Sequence, residues 1–145
     1  MIYFDAAYIA KCYLNEPGAE RVRDLARTAD GLASCEWGRL EFACLVHRHL
    51  REGHLTTREA REVLGDFAED EVAGVWHWLP LTSVLMQRAF LRVRELPRGT
   101  FLRAGDVVHL AAASEHGHRD IYSNDRHLLA SAGHFGLTGV DVIAR

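Results

Sequence analysis

Short apolar runs alternate with longer segments of helical periodicity along this chain. Apolar residues that recur every three or four positions predict helices at 6–14, 19–28, 37–51, 56–67, 84–96, 105–113 and 126–132. Runs rich in β-branched and aromatic residues predict strands at 2–4, 32–34, 76–81, 120–123 and 139–143. Strands that alternate with helices indicate an α/β domain with a mainly parallel sheet.

Length and composition restrict the classes of protein to be considered. A chain of 145 residues, 48% hydrophobic and 26% charged, fits one ordered domain rather than a disordered segment. No apolar stretch is long enough for a membrane span, and the N-terminus lacks the basic and apolar regions of a secretory signal, so we expect a cytoplasmic protein. Cys12, Cys35 and Cys44 are widely spaced, which predicts reduced thiols in a core rather than a zinc site.

The charge of the chain bears on nucleic-acid binding. A net charge of −3 is not that of a protein that holds duplex DNA by charge alone, but it leaves open an enzyme that reaches nucleic acid through metal ions. Lys11 is the only lysine, and the other basic residues are arginines. Arginine suits bidentate contacts to phosphate, although codon bias would give the same composition.

Acidic residues fall where the predicted elements meet. Asp5 ends the first strand and Asp125 follows the fourth, and ligands of open α/β sheets collect outside the carboxyl ends of strands. Asp106 begins a predicted helix, and Glu41 lies in the first turn of another. Each also has a structural explanation: the aspartates suit helix N-caps, and Glu41 has a possible ion-pair partner in Arg39.

A cluster of these acids would need a cation. Two carboxylates about 4 Å apart repel by roughly 4 kcal/mol at an effective dielectric constant near 20. Four together would destabilise a small domain unless some were protonated or bound a hard cation. Magnesium takes oxygen ligands, and such a site can activate water for attack on phosphate.

Three segments resemble the PIN-domain proteins of the VapC-like toxin kind. They are MIYFDAAYIAKCYLNEPG at the N-terminus, LRAGDVVHLAAA around Asp106, and IYSNDRHLL around Asp125. Glu41 falls where the family has its glutamate, early in the third helix. The order and spacing of these motifs cover nearly the whole chain. The resemblance implies one PIN-like domain over residues 1–145, with a three-layer α/β/α arrangement around a central, mainly parallel sheet.

The resemblance also implies an activity, a cofactor and partners. It predicts an endoribonuclease, dependent on Mg²⁺ or Mn²⁺, that acts as the toxin of a toxin–antitoxin pair. Asp5 and Asp106 would be metal ligands, with Glu41 and Asp125 completing the acidic pocket. A metal-activated water would hydrolyse an RNA phosphodiester and leave 5′-phosphate and 3′-hydroxyl ends. Such toxins form homodimers and are silenced in complex with a small cognate antitoxin, which here would lie along helices at about 37–52 and 56–70.

One position departs from the family pattern. Two residues after the first aspartate the family commonly has Ser or Thr, whereas this chain has Ala7. Ser123 is expected to supply a hydroxyl to the substrate from the other side, and Arg126 is a second candidate for substrate contact. The missing hydroxyl keeps open a weakened PIN fold that only binds RNA or a partner protein. A phosphatase with an aspartate nucleophile is a further alternative, but it would need an acid at the position of Ala7.

Other aromatic and basic residues have two interpretations each. Phe101 and the tryptophans Trp37, Trp76 and Trp78 suit base stacking or, alternatively, packing in a core or dimer. Arg98 and Arg103 suit phosphate contacts or a solvated rim. His109 lies one helical turn after Asp106 and is expected to be packed or hydrogen-bonded.

Overall fold

Five parallel strands form one central sheet in the computed structural model, which describes residues 1–144. The strands are β1 (Ile2–Phe4), β2 (Leu32–Cys35), β3 (Trp76–Leu79), β4 (Asp120–Tyr122) and β5 (Thr138–Val140). They follow the spatial order β3-β2-β1-β4-β5, and every neighbouring pair is parallel. The predicted α/β class with a mainly parallel sheet is therefore confirmed.

Helices connect the strands and cover both faces of the sheet. They are α1 (Ala6–Tyr13), α2 (Ala19–Thr28), α3 (Glu36–Arg51), α4 (Thr57–Val72), α5 (Ser83–Arg94), α6 (Ala104–Glu115) and α7 (Arg126–Ser131), followed by a short 3₁₀ helix, Ala132–Phe135. In the described part of the chain, no helix is both long and apolar enough to span a membrane.

The alternation of side chains along the strands divides the core in two. Tyr3, Ala33 and Cys35 pack with residues of α5, α6 and α7 on one face. Phe4 and Leu32, the neighbours of Tyr3 and Ala33, pack with residues of α1 to α4 on the other face. Because successive strand residues point to opposite faces, β1 to β4 each contribute to both cores, which gives the three-layer α/β/α arrangement.

The strand order places a crevice between β1 and β4. From β1 the chain continues through β2 and β3 on one side, and it returns as β4 and β5 on the other. At such a switch point the connections leave in opposite directions and open a crevice at the carboxyl ends of the strands. Asp5 follows β1, and Ser123 follows β4 at this position.

Several predicted boundaries were wrong. Helix α4 continues to Val72 rather than ending at residue 67, and α6 begins at Ala104, so Asp106 is its third residue rather than its start. Strand β3 ends at Leu79, and β5 spans Thr138–Val140 rather than 139–143. The last residue of the predicted domain, residue 145, lies outside the described residues.

Candidate active site

The four predicted acids line one cavity at the carboxyl ends of β1 and β4. Its volume is about 460 Å³, and Asp5, Glu41, Asp106 and Asp125 all contribute to its wall. We call this cavity the acidic cleft; Arg103 and His109 also line it. The four carboxylates belong to four different segments of the chain, so the fold brings them together. The sequence alone could not determine their contacts.

Asp5 caps α1 and is tied to the neighbouring strand segment. Its Oδ1 accepts a hydrogen bond of 3.0 Å from the backbone N–H of Tyr8, and its Oδ2 accepts one from the Ser123 hydroxyl. Burial raises the pKa of Asp5, and the charge of Glu41 adds to this, while His109 and the hydrogen bonds oppose it. A nearby cation would favour the carboxylate form.

The hydroxyl of Ser123, which we predicted to contact substrate, bonds to two groups beside the acidic cleft. It is fully buried, and its hydroxyl donates to Asp5 and accepts from the backbone N–H of Asp125 at 2.9 Å. These two bonds connect Asp5 to the start of α7, so Ser123 helps to position both acids. Arg126 is exposed, and its Nε lies 3.3 Å from Nε2 of His127.

Arg103 is the cation that lies between two of the acids. Its Nε is 3.2 Å from Oδ2 of Asp106, and its NH2 group donates to Oδ2 of Asp125. The backbone N–H of Arg103 also donates to Asp106, at 3.0 Å, across the first turn of α6. Burial opposes ionisation of Asp125, but hydrogen bonds from the His127 and Leu128 N–H groups and the charge of Arg103 lower its pKa. The aspartates therefore act as helix-end acceptors and also form the acidic cleft.

Glu41 is held from below by a buried histidine. Its Oε2 lies 2.8 Å from Nε2 of His109, which is only 2% exposed. The alternative explanation of Glu41, an ion pair with Arg39, does not hold, because Arg39 pairs with Glu71 and Glu36. Glu41 also lies in the second turn of α3 rather than the first, since α3 already begins at Glu36.

His109 is fixed through its second ring nitrogen as well. Nδ1 lies 2.9 Å from the hydroxyl of Tyr3 and 3.7 Å from Sγ of Cys35. Burial alone would lower the pKa of His109, but the hydrogen bonds with Cys35 and Glu41 and the surrounding negative charges raise it to about 10. The imidazolium form therefore places a positive charge directly beneath the acidic cleft.

Two glycines, Gly38 and Gly105, provide the space for the side chains of His109 and Glu41. A Cβ on Gly38 would lie 2.8 Å from Cε1 of His109 and 2.6 Å from Oγ of Ser34. A Cβ on Gly105 would lie 2.9 Å from both Oε1 of Glu41 and Nε1 of Trp37. Both positions therefore need a residue without a side chain if α3 and α6 are to approach this closely.

The donor atoms of the cleft suit magnesium. Among residues 1–144, no three His, Cys, Asp or Glu side chains are arranged to hold a metal ion as they stand, and Arg103 provides the positive charge between Asp106 and Asp125. The four carboxylates nevertheless offer hard oxygen ligands on one wall, the type that Mg²⁺ takes. Metal binding would require Arg103, whose side chain is 63% exposed, to share or release these aspartates.

A larger cavity, of about 890 Å³, lies away from the four acids. It is formed by α1, the turn after it, α3 and α4, and Lys11, His49 and Glu62 are among its residues. Size alone does not identify the reactive site. The smaller cavity is the one that holds a buried carboxyl group with a raised pKa, that of Asp5, whereas Glu59, the carboxyl group with a lowered pKa in the larger cavity, is exposed and caps α4.

Sequence reasoning missed two features of the site and misplaced one residue. It gave His109 a packed or hydrogen-bonded role without naming Glu41 as its partner, and it assigned Arg103 to phosphate rather than to the aspartates. The sequence did contain an indication of each: His109 lies one helical turn after Asp106, and Arg103 lies one turn before it. Cys44, predicted to be in a core, is exposed and lines the acidic cleft.

The comparisons with known proteins give a match to solved structures only. No protein-family model and no curated protein matches the sequence. The VapC20 toxin of Mycobacterium tuberculosis, described as cleaving the sarcin-ricin loop, superposes with a TM-score of 0.70 at 15% identity, over 90% of this chain and 95% of that one. This chain has the PIN-like fold.

Two further solved structures share the PIN-like fold. VapBC2 of Rickettsia felis, bound to a DNA fragment from its promoter, gives a TM-score of 0.67 at 13% identity over 97% of this chain and 98% of that one. FitAB bound to an IR36 DNA fragment gives a TM-score of 0.64 at 18% identity, over 97% of this chain and 94% of that one. The resemblance inferred from the sequence motifs is thus confirmed for the fold.

Proposed function

We propose that this protein is a magnesium-dependent endoribonuclease and the toxin of a toxin–antitoxin pair. The observation that carries the proposal is the convergence of Asp5, Glu41, Asp106 and Asp125 on one cleft at the switch point of the sheet. A PIN-like fold supports it, since one protein that shares the fold is described as a toxin that cleaves the sarcin-ricin loop.

The residues of the cleft have separate tasks in this reaction. Bound Mg²⁺, with Mn²⁺ as a substitute, would supply charge stabilisation and activation of water at the scissile phosphate. Asp5 and Asp106 are the proposed principal ligands, and Glu41 and Asp125 complete the acidic wall. Ser123 orients Asp5, and His109 orients Glu41. Arg103 is positioned to move from the aspartates to a phosphate oxygen of the RNA, because guanidinium groups bind both kinds of oxygen.

The surfaces of α3 and α4 support a protein partner. The cavity of about 890 Å³ carries Glu59, Glu62 and Asp66 of α4 beside the apolar side chains of Leu55 and Val63. Acidic and apolar groups in one groove suit an antitoxin segment that presents basic and apolar side chains. VapBC2 and FitAB are complexes in their solved structures, which is consistent with such a partner.

A homodimer and a cytoplasmic location are part of the same proposal. Helix α5 exposes a set of large apolar side chains, namely Val84, Met86, Phe90, Leu91 and Val93. Exposed apolar surface of this kind is typical of protein–protein contacts. The cytoplasm is where both RNA and a cognate antitoxin would be available.

The deciding experiment is RNA cleavage with matched acid variants. A structured RNA set is incubated with wild type, Asp5→Asn, Asp106→Asn and Asp30→Asn, in Mg²⁺ and in a chelator. Asp30 is exposed and lies outside the cleft, so it controls for loss of charge alone. We expect cleavage by wild type and Asp30→Asn in Mg²⁺ only. Cleavage that persists in the chelator, or in both cleft variants, would contradict the proposal.

The alternative is a PIN-like fold that binds RNA or a partner without cleaving it. Ala7 favours it, since this residue lines the cleft with a methyl group where the family commonly has a hydroxyl. The same assay separates the two functions. RNA binding by wild type without cleavage in Mg²⁺ or Mn²⁺ would support the binding module.

A further inference from the structure

Phe101 is exposed beside the acidic cleft although its neighbour Leu102 is packed inward. The side chain of Phe101 is 58% exposed, whereas Leu102 packs against the core formed by α5, α6 and the sheet. The loop between α5 and α6 therefore has an apolar anchor and does not need Phe101 for its own packing. An aromatic ring held in solvent next to a reactive site suggests contact with a ligand.

The ring of Phe101 is fixed relative to the acids by two contacts. Its centroid lies 4.5 Å from that of the His127 ring, at an interplanar angle of 51°. The backbone N–H of His127 donates to Oδ1 of Asp125 at 2.8 Å. Two residues after Phe101, Arg103 pairs with both Asp125 and Asp106. The aromatic pair and the acids are thus parts of one connected wall.

Two exposed arginines are close to this pair in the chain. The Arg103 side chain is 63% exposed, and the exposed Arg126 places its Nε 3.3 Å from Nε2 of His127. A nucleic-acid strand offers phosphates and flat bases in alternation. Aromatic rings take the bases, and guanidinium groups take the phosphates.

We propose that Phe101, supported by His127, is a stacking site for an unpaired RNA base next to the scissile phosphate. This inference rests on the proposed function, because it names how the same cleft selects its substrate. An unpaired base suits the site, since stacking needs a free base face that a continuous duplex does not offer. The ring would then favour cleavage in loops or single strands.

The test is a coupling measurement between the ring and individual bases. Fluorescence anisotropy follows the binding of a short, labelled single-stranded RNA to the full chain. All proteins carry Asp5→Asn, so that the RNA is not cleaved during the measurement. Phe101→Ala, Phe101→Trp and Val72→Ala are compared in this background. Val72 is 91% exposed at the end of α4 and outside the cleft, so Val72→Ala controls for the removal of an exposed apolar side chain. A series of RNAs each carries one abasic position.

We expect Phe101→Ala to raise the Kd about fivefold or more, while Phe101→Trp and Val72→Ala leave it near that of the parent. At one position of the RNA, loss of the base should weaken binding to the parent protein. The same loss should not weaken binding to Phe101→Ala any further.

Equal Kd values for the parent and Phe101→Ala, with wild type still cleaving RNA, would overturn the stacking site alone. If wild type neither binds nor cleaves RNA, both the inference and the proposed function are overturned. A change of oligomeric state in Phe101→Ala, read by light scattering, would instead assign the ring to a contact between copies of the chain and overturn the stacking site.

Discussion

His109 and Glu41 are separated by 68 residues and meet through a contact of 2.8 Å between Nε2 and Oε2. The contact joins α6 to α3 across the floor of the acidic cleft. Because Nδ1 of the same ring is held by Tyr3, the direction in which the histidine presents Nε2 is fixed by the core. The orientation of one acid in the cleft therefore depends on a side chain that substrate cannot reach.

Replacing His109 should weaken metal binding without removing any proposed ligand. His109→Leu leaves the Glu41 carboxylate without its donor, and partners of this kind contribute about 10- to 100-fold to metal affinity. His109→Gln should recover part of the loss, because its amide can still donate to Glu41. Isothermal titration with Mn²⁺ measures the change, with circular dichroism to verify folding. His116→Gln, at the end of α6, is the control, and a folded His109→Leu with wild-type affinity would show that the contact is not needed.

The stability of the protein should fall at alkaline pH because of the same histidine. Its pKa is about 10 in the folded chain and about 6.5 when unfolded, so folding favours the charged form. The stabilisation is complete below about pH 6.5 and is lost as the pH rises through about 10. Urea unfolding at about pH 6 and about pH 9.5 should show a larger loss for wild type than for His109→Gln. Equal losses in the two proteins would assign the pH dependence to other groups.

Arg103 should compete with metal and assist RNA binding. Its guanidinium pairs with Asp106 and Asp125, so Arg103→Gln removes a cation that occupies proposed ligands. We expect a lower Kd for Mn²⁺ together with a higher Kd for RNA, each by several-fold, since an ion pair made by a solvent-exposed arginine contributes up to about 1 kcal/mol. Arg119→Gln, an exposed arginine just before β4 and outside the cleft, is the control. If Arg103→Gln instead weakened the binding of both Mn²⁺ and RNA, the arginine would be needed for the structure of the cleft.

Thiol reagents should inhibit the protein through Cys44. This cysteine is exposed and lines the acidic cleft, whereas Cys35 is buried, and burial raises the pKa of Cys12 to about 12. Since the thiolate is the reactive form, N-ethylmaleimide near neutral pH should modify Cys44 first, as mass spectrometry would show. RNA cleavage should fall with this modification, and Cys44→Ser should be protected. Full activity after complete labelling of Cys44 would place the RNA elsewhere.

The sequence was a good guide where structure is local. Strand and helix periodicity predicted the order of the elements, and two of the acids were found because Asp5 directly follows β1 and Asp125 lies three residues after the end of β4. The end of α4 was missed because residues 68–71 add no inward apolar residue to the periodic pattern. Its last turns are supported instead by distant partners: Tyr13 donates to Asp70 at 2.6 Å, and Arg39 pairs with Glu71.

Contacts between distant segments were beyond the reach of pattern reasoning. Nothing in the local sequence indicates that the Ser123 hydroxyl turns inward to Asp5 or that Glu41 has His109 as its partner. The end of β5 is similar, because the hydroxyl of Tyr8 donates to Asp141 and accepts from the N–H of Val142, which draws the chain out of the sheet. Such contacts depend on how layers pack, and a single sequence does not encode them in any periodic signal.

The two close-packed glycines limit how far the stability of this protein can be raised without disturbing the acidic cleft. Replacing a helical glycine by alanine ordinarily stabilises a protein by about 0.5–1 kcal/mol, so an engineer seeking heat resistance would choose Gly38 and Gly105 early. Here the added methyl group would meet the imidazole of His109 or the carboxylate of Glu41. The substitution would then make the helix more rigid but would displace side chains of the acidic cleft. Selection for activity would therefore preserve two weak points in the scaffold, and a thermostable variant should be sought at Gly65, where a Cβ meets nothing within 4 Å.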